Sequence, residues 1–128
     1  MPILKLTIKG RCPSKKNSKR VFVRGGRTIV IPSENHEAWH EEQSYMIKKF
    51  RPKKPIDKCK IEMIFYAPDK RKSDLDNKAT TILDLFVDNG FIKDDSWFVV
   101  EHESLHFGGI DKLNPRAEII INYEESKT

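Results

Sequence analysis

Between Asp76 and Asn89 the residues Ala79, Ile82, Leu83, Phe86 and Val87 recur at steps of three and four. That spacing draws an apolar stripe along one side of an α-helix, and Gly90 supplies the permissive residue on which such helices end. The stripe needs a sheet or a second helix to cover it. Two segments read as half-buried strands: Ile3–Lys9 alternates polar and apolar, and Cys59–Tyr66 does so through Ile64. Val21–Val23 and Thr28–Ile31 are β-branched or aromatic, and Gly25-Gly26 between them predicts a hairpin. Pro32-Ser33 predicts a helix entrance, with Ser33 as N-cap and Glu34 and Glu37 at the positive end of the dipole. In this first helix Trp39, Gln43, Met46 and Phe50 share a face that Ile47 widens, and Pro52 and Pro55 end it. Trp97–Phe107 and Ala117–Tyr123 give closing strands, with 124–128 frayed. The order β-β-β-α-β-α-β-β describes a single α+β domain over 1–128. Leu85 points almost opposite the stripe of the second helix, where it is expected at the surface and available for a subunit contact.

Charge is distributed unevenly. Met1 to Ser33 carries nine basic residues and no acid, whereas the other 95 carry 15 basic and 19 acidic ones. A cationic third of this kind suits a polyanion, and nucleic acid is the obvious one. Lys15, Lys16, Asn17, Lys19 and Arg20 fall in or beside a loop, Arg24 and Arg27 flank the hairpin tip, and Arg71 and Lys72 precede the second helix. These are the expected DNA contacts, of the phosphate-positioning sort that salt weakens steeply. Phe22, on a strand, is read as core rather than as a wedge between bases. No apolar run approaches the ~20 residues of a membrane span, and the first ten residues lack the pattern of a signal peptide. Cys12 and Cys59 are too few for a disulfide framework or a four-ligand zinc site, and are expected to be reduced thiols in a cytosolic protein.

The densest group of reactive side chains is Lys70-Arg71-Lys72-Ser73-Asp74-Leu75-Asp76-Asn77. On an extended backbone Asp74 and Asp76 project to one side, where two anions repel unless a cation sits between them. Mg²⁺ suits such a sparse pair, since it keeps waters and phosphate oxygens among its ligands. Asp95, beyond the second helix, completes the site if the chain turns back. The other reading is that Asp74 or Asp76 caps the helix and the rest is solvated.

Pro13-Ser14-Lys15-Lys16-Asn17, Asp74-Leu75-Asp76-Asn77, the helix ending Asp88-Asn89-Gly90-Phe91-Ile92, and Asp94-Asp95-Ser96 together resemble the RusA family of Holliday-junction resolvases. The resemblance implies a small homodimeric endonuclease with a mixed sheet and two main helices. Such an enzyme binds four-way junctions, with other branched DNAs as further substrates, and makes paired nicks with Mg²⁺ or Mn²⁺ in DNA recombination and repair. By position, Asp74, Asp76 and Asp95 match the family's catalytic acids. The expected compartment is the cytoplasm of a bacterial or phage-infected cell. One position departs from the pattern. The family usually has a Lys one turn after the second Asp, and here that residue is Thr80. Lys78 lies about 160° around the helix from it, which leaves Lys93 or the Lys70–Lys72 run to supply the charge.

Two other functions compete. His36-Glu37-Ala38-Trp39-His40 matches His-Glu-x-x-His, which on a helix holds Zn²⁺ with the Glu as general base; Glu62, His102 or His106 would be the third ligand. His102 and His106, sharing a strand face with Ser104, are otherwise structural. The basic third together with Thr80 also fits a branched-DNA-binding module without catalysis.

Overall fold

The computed structural model describes residues 2–13, 19–24, 27–32 and 34–124, and the side chains of 2–13 and 37–124. Along the chain come β1 (Ile3–Lys9), β2 (Lys19–Arg24), β3 (Arg27–Pro32), α1 (Glu34–Ile47), a 3₁₀ turn (Lys48–Phe50), β4 (Cys59–Ala67), α2 (Leu75–Asp88), β5 (Val100–Ile110) and β6 (Arg116–Tyr123). This is the expected order. β2 and β3 form an antiparallel pair, as the Gly-Gly signal predicts, with the turn itself and the Ser33 cap outside the described residues.

The other four strands make one mixed sheet in the order β1-β6-β4-β5. β6 lies antiparallel to both β1 and β4, whereas β4 and β5 run parallel. Neighbouring parallel strands need a crossover, and α2 is that crossover. Alternation then sorts the side chains into rows across the sheet. Leu6, Ile119, Met63 and Leu105 form one row, and Ile8, Ala117, Phe65 and Phe107 the next. The first three members of each row are buried; at the edge strand Phe107 is 61% exposed. A register shift after Phe65 skips Gly108, so Tyr66 pairs with Gly109 and Ala67 with Ile110. A Cβ on Gly108 would come within 2.6 Å of the Tyr66 ring, whose other contact is the Arg116 guanidinium 3.9 Å from its centroid.

α2 is buried on two sides. Ala79, Ile82, Leu83 and Phe86 form the expected stripe, and Phe86 stacks on Phe91 at 5.5 Å between centroids. Leu85 and Thr81 are buried as well, which corrects the expectation of an exposed Leu85. The cause is α1: Asn89, one turn beyond Leu85, donates from Nδ2 to Ser44 Oγ at 2.9 Å, so this side of α2 faces the first helix. α1 itself departs from its expected face. Trp39, Gln43 and Ile47 are buried at steps of four, while Met46 and Phe50 are about half exposed. The helix tightens to a 3₁₀ turn at Lys48, which carries Phe50 off the stripe. β5 starts at Val100 rather than Trp97, because the Ser96 carbonyl accepts from the Val99 and Val100 N–H groups and closes a turn there. No helix among the described residues is long and apolar enough to cross a membrane.

Phe86→Ala removes the largest fully buried side chain of the crossover helix. It is expected to cost about 3–5 kcal/mol in urea unfolding, and a loss below about 1 kcal/mol would contradict the packing described.

Candidate active site

The start of α2 faces a cleft of about 500 Å³ whose lining includes Arg11, Cys12, Phe65, Asp69, Asp74 and Lys78. Asp74 occupies the N-cap position with extended backbone, yet its carboxylate makes no capping hydrogen bond. Its Oδ2 accepts instead from the Asn77 side chain at 3.3 Å. Asp76, in the first turn, accepts the Asn77 N–H at 2.9 Å. Both aspartates are exposed, and among the described residues neither forms an ion pair. The helix-cap reading therefore fails for Asp74, and two carboxylates stand one residue apart without a cationic partner.

The nearby cations are organised by a different acid. Asp69 accepts from Arg71 Nη2 at 2.9 Å and from Arg11 Nη1 at 3.1 Å, so these two guanidinium groups share it at the rim of the cleft. Lys70 and Lys72 are exposed beside them. Lys93 pairs with Asp57 at 2.5 Å and is thereby committed away from the acids of α2. Thr80 turns its hydroxyl back to the Asp76 carbonyl at 3.0 Å. Lys78 is the cation that reaches inward. Its ammonium donates to the Cys12 carbonyl, and the Cys12 thiol in turn lies 3.9 Å from the Lys78 carbonyl, joining residues 66 apart in sequence. Burial lowers the Lys78 pKa; the Cys12 sulfur opposes this shift and the Arg11 charge adds to it. Burial pushes the Cys12 thiol up to about 12, against the pull of Lys78. Cys59 rises to about 11, again mainly by burial, with Glu101 adding to it.

Asp95 lies beyond the opposite end of α2, a helix of about 21 Å at 1.5 Å per residue. Asp94 shapes that turn: its carboxylate accepts the Asp95 N–H at 2.7 Å, and its pKa is lowered by that bond and by Ser96. Asp95 is exposed and near Glu103 of β5, whose carboxyl is raised by burial and then by the Asp95 charge. Among the described residues no three His, Cys, Asp or Glu side chains are grouped to hold a metal ion. The chemistry of the donor set still fits a hard divalent cation, since Asp74 and Asp76 offer carboxylate oxygens that no Lys or Arg among the described residues neutralises.

Of the expected DNA contacts, Lys15, Lys16 and Asn17 lie outside the described residues. Lys19 and Arg20 are placed on β2 and Arg24 and Arg27 at the facing ends of β2 and β3, without described side chains, as is Phe22. The His-Glu-x-x-His segment does form helix, but the His40 ring is engaged on both sides. Nε2 lies 2.9 Å from Asp88 Oδ2 and Nδ1 3.5 Å from Ser44 Oγ, so His40 bridges the helices. The His36 side chain lies outside the described residues. His106 meets Ser104 at 2.7 Å and Glu62 at 3.6 Å through the same nitrogen, as a cross-strand surface contact.

Residues 12–122 match the family described as Endodeoxyribonuclease RusA. The chain belongs to the RusA endodeoxyribonuclease family. No curated protein sequence matches it. The match spans both acidic motifs, the cleft lining apart from Arg11, and β4, β5 and all but the last residue of β6; β1 precedes it. RusA membership makes the chain a nuclease-family domain directed at Holliday junctions.

Two measurements test this site. Lys78→Met keeps the aliphatic stem but leaves the Cys12 carbonyl without its donor, so urea unfolding is expected to show a loss of about 1–2 kcal/mol. The two thiols give a pH signature. Stability held by their protonated forms is complete below the ordinary thiol pKa of 9.0 and is lost as pH rises from there towards about 12 for Cys12 and about 11 for Cys59. Between about pH 8 and about pH 10 the wild type is expected to lose more stability than Cys12→Ala; equal losses would contradict the buried thiol.

Proposed function

We propose that this RusA-family chain is a metal-dependent endonuclease that resolves four-way DNA junctions by paired phosphodiester hydrolysis, acting as a homodimer in recombination and repair. The observation that supports it is the Asp74–Asp76 pair: an N-cap aspartate that does not cap, beside a second exposed aspartate, at the mouth of a cleft rimmed by Arg11, Lys70, Arg71 and Lys72. Asp74 and Asp76 would hold Mg²⁺, or Mn²⁺ in its place, which would supply Lewis-acid polarisation of the phosphodiester and a bound water of lowered pKa; Asp95, beyond the other end of α2, is not grouped with them among the described residues. The products are a 5′-phosphate and a 3′-hydroxyl.

The chain's own groups do the rest. Lys70 and Lys72 attract the phosphate backbone without being neutralised by Asp69, and the cations of β2 and β3 extend that attraction along the acid-free segment. Lys78 ties Cys12, within the basic N-terminal segment, to the first turns of α2, so that this part of the binding segment and the acid pair keep one geometry. A two-fold dimer presents two such sites to a two-fold junction, which suits paired nicking. The enzyme's place is the cytoplasm of a bacterial or phage-infected cell.

The alternative is a junction-binding module without catalysis, favoured by one observation: position 80 carries a Thr that spends its hydroxyl on the helix and offers no cation there. Cleavage of a synthetic four-way junction beside a linear duplex, in Mg²⁺, Mn²⁺ or EDTA, separates the two. Paired nicks confined to the junction, lost in EDTA and reduced at least about a hundredfold in Asp76→Asn, are expected. Tight junction binding with no cutting in either metal would assign the module instead.

A further inference from the structure

Phe107 and Ile110 pose a question that strand alternation alone leaves open. Both lie on the helix-bearing side of the sheet, yet they are 61% and 46% exposed. The skipped Gly108 brings them to the same side, and with Phe65 they line the cleft at the start of α2. The cleft therefore has an apolar floor and a cationic rim, with Asp74 between them. A purely apolar partner has no use for the Arg11, Lys70, Arg71 and Lys72 rim, and a solvated phosphate has no use for the floor. A nucleotide needs both, because its base is flat and apolar on its faces and its phosphate is anionic.

We propose that this cleft is a nucleobase-binding site that takes one unstacked base of the branched DNA, with Phe107 as the stacking platform and the rim cations on the flanking phosphate. The proposal rests on the junction-nuclease reading above and gives it a source of substrate discrimination. Its volume of about 500 Å³ falls within the usual range for sites that enclose a small organic group. Extracting a base costs least where pairing or stacking is already broken, as it is at a branch point and not in a linear duplex. Aromatic stacking is tolerant of base identity, since every base has a π-face. The cleft also lies next to Asp74, so a base lodged there draws the adjoining phosphodiester towards the acid pair. Phe107 on this reading determines specificity, and it acts by binding the substrate rather than by taking part in the chemistry.

The test uses a four-way junction carrying 2-aminopurine at the crossover, bound to the full chain in EDTA so that no cutting occurs. Binding of the wild type is expected to change the 2-aminopurine fluorescence. Phe107→Ala is expected to abolish that change and to weaken junction binding roughly tenfold, the scale of one lost aromatic–base stack. Its affinity for linear duplex should fall less, so that the ratio of the two affinities drops. Phe107→Tyr, which keeps the ring, should restore both the signal and the ratio, and this rescue separates stacking from damage to the fold. Three results would overturn the proposal. Unchanged fluorescence and affinity in Phe107→Ala would remove the platform. An equal loss on junction and duplex would make Phe107 a structural residue. A fall in particle mass on light scattering for Phe107→Ala would assign the floor to a second copy of the chain. In each of these cases the wild type still cuts junctions; a wild type that neither binds nor cuts them sinks the nuclease reading as well, and the two failures are thereby told apart.

Discussion

The clamp on α2 is the contact on which the rest of the molecule depends. Phe86, Ile82 and Leu85 are fully buried, and they fix the helix against the sheet on one side and α1 on the other. Because α2 also connects the parallel strands β4 and β5, its position sets where β5 starts and which way it runs. The chemical groups sit at the ends of this rigid element. Asp74 and Asp76 occupy its first turn, and Asp95 lies in the turn that follows its last. A side chain at a helix end inherits the rigidity of the whole helix, which is what a metal ligand or a substrate contact requires.

Around the first turn, charge is arranged by exclusion as much as by attraction. Asp69 takes up Arg11 and Arg71, and Asp57 takes up Lys93. Among the described residues, the carboxylates of Asp74 and Asp76 are hydrogen-bonded to Asn77 and ion-paired to no Lys or Arg. Had Arg71 turned to Asp74 instead, the carboxylate would be neutralised and poorly disposed to a divalent cation. A third acid close by thus protects the pair by occupying its competitors, and it holds the guanidinium groups where a phosphate backbone would pass.

Much of this was legible in the amino-acid order, and what was not has definite causes. Periodicity located α2 and its stripe, the alternation of β1 and β4, and the paired strands β2 and β3, because in each case one face is buried and the other is wet. The Asp-Leu-Asp-Asn motif drew meaning from its resemblance to the RusA pattern together with Asp94-Asp95-Ser96, since two aspartates one residue apart also suit a helix cap. Leu85 was misread because periodicity reports the largest apolar face and is silent about a second helix on the other side. Phe50 was misread because a helix that tightens changes its period, and Met46 because the buried row of α1 runs through Trp39, Gln43 and Ile47 instead. Trp97, Phe98 and Val99 have the composition of a strand but form a turn, held by the Ser96 carbonyl. The Lys78–Cys12 exchange joins residues too far apart for any local pattern to reveal. Phe107 reads only as the end of a closing strand, and its place on the outermost strand leaves it uncovered.

The strand order has a consequence for how the chain is made. β1 precedes the other described strands in the chain, yet its neighbour in the sheet is β6, which follows them all. Until β6 has emerged from the ribosome, β1 has no edge to join, and Arg11 and Cys12, which follow it directly, have no fixed position beside Lys78. Contacts between distant segments form late because the loop between them must first be closed. The cleft is therefore among the last parts of the molecule to exist. A nascent chain can carry Asp74 and Asp76 at the start of a formed α2 and still lack the Arg11–Cys12 wall of the cleft beside them.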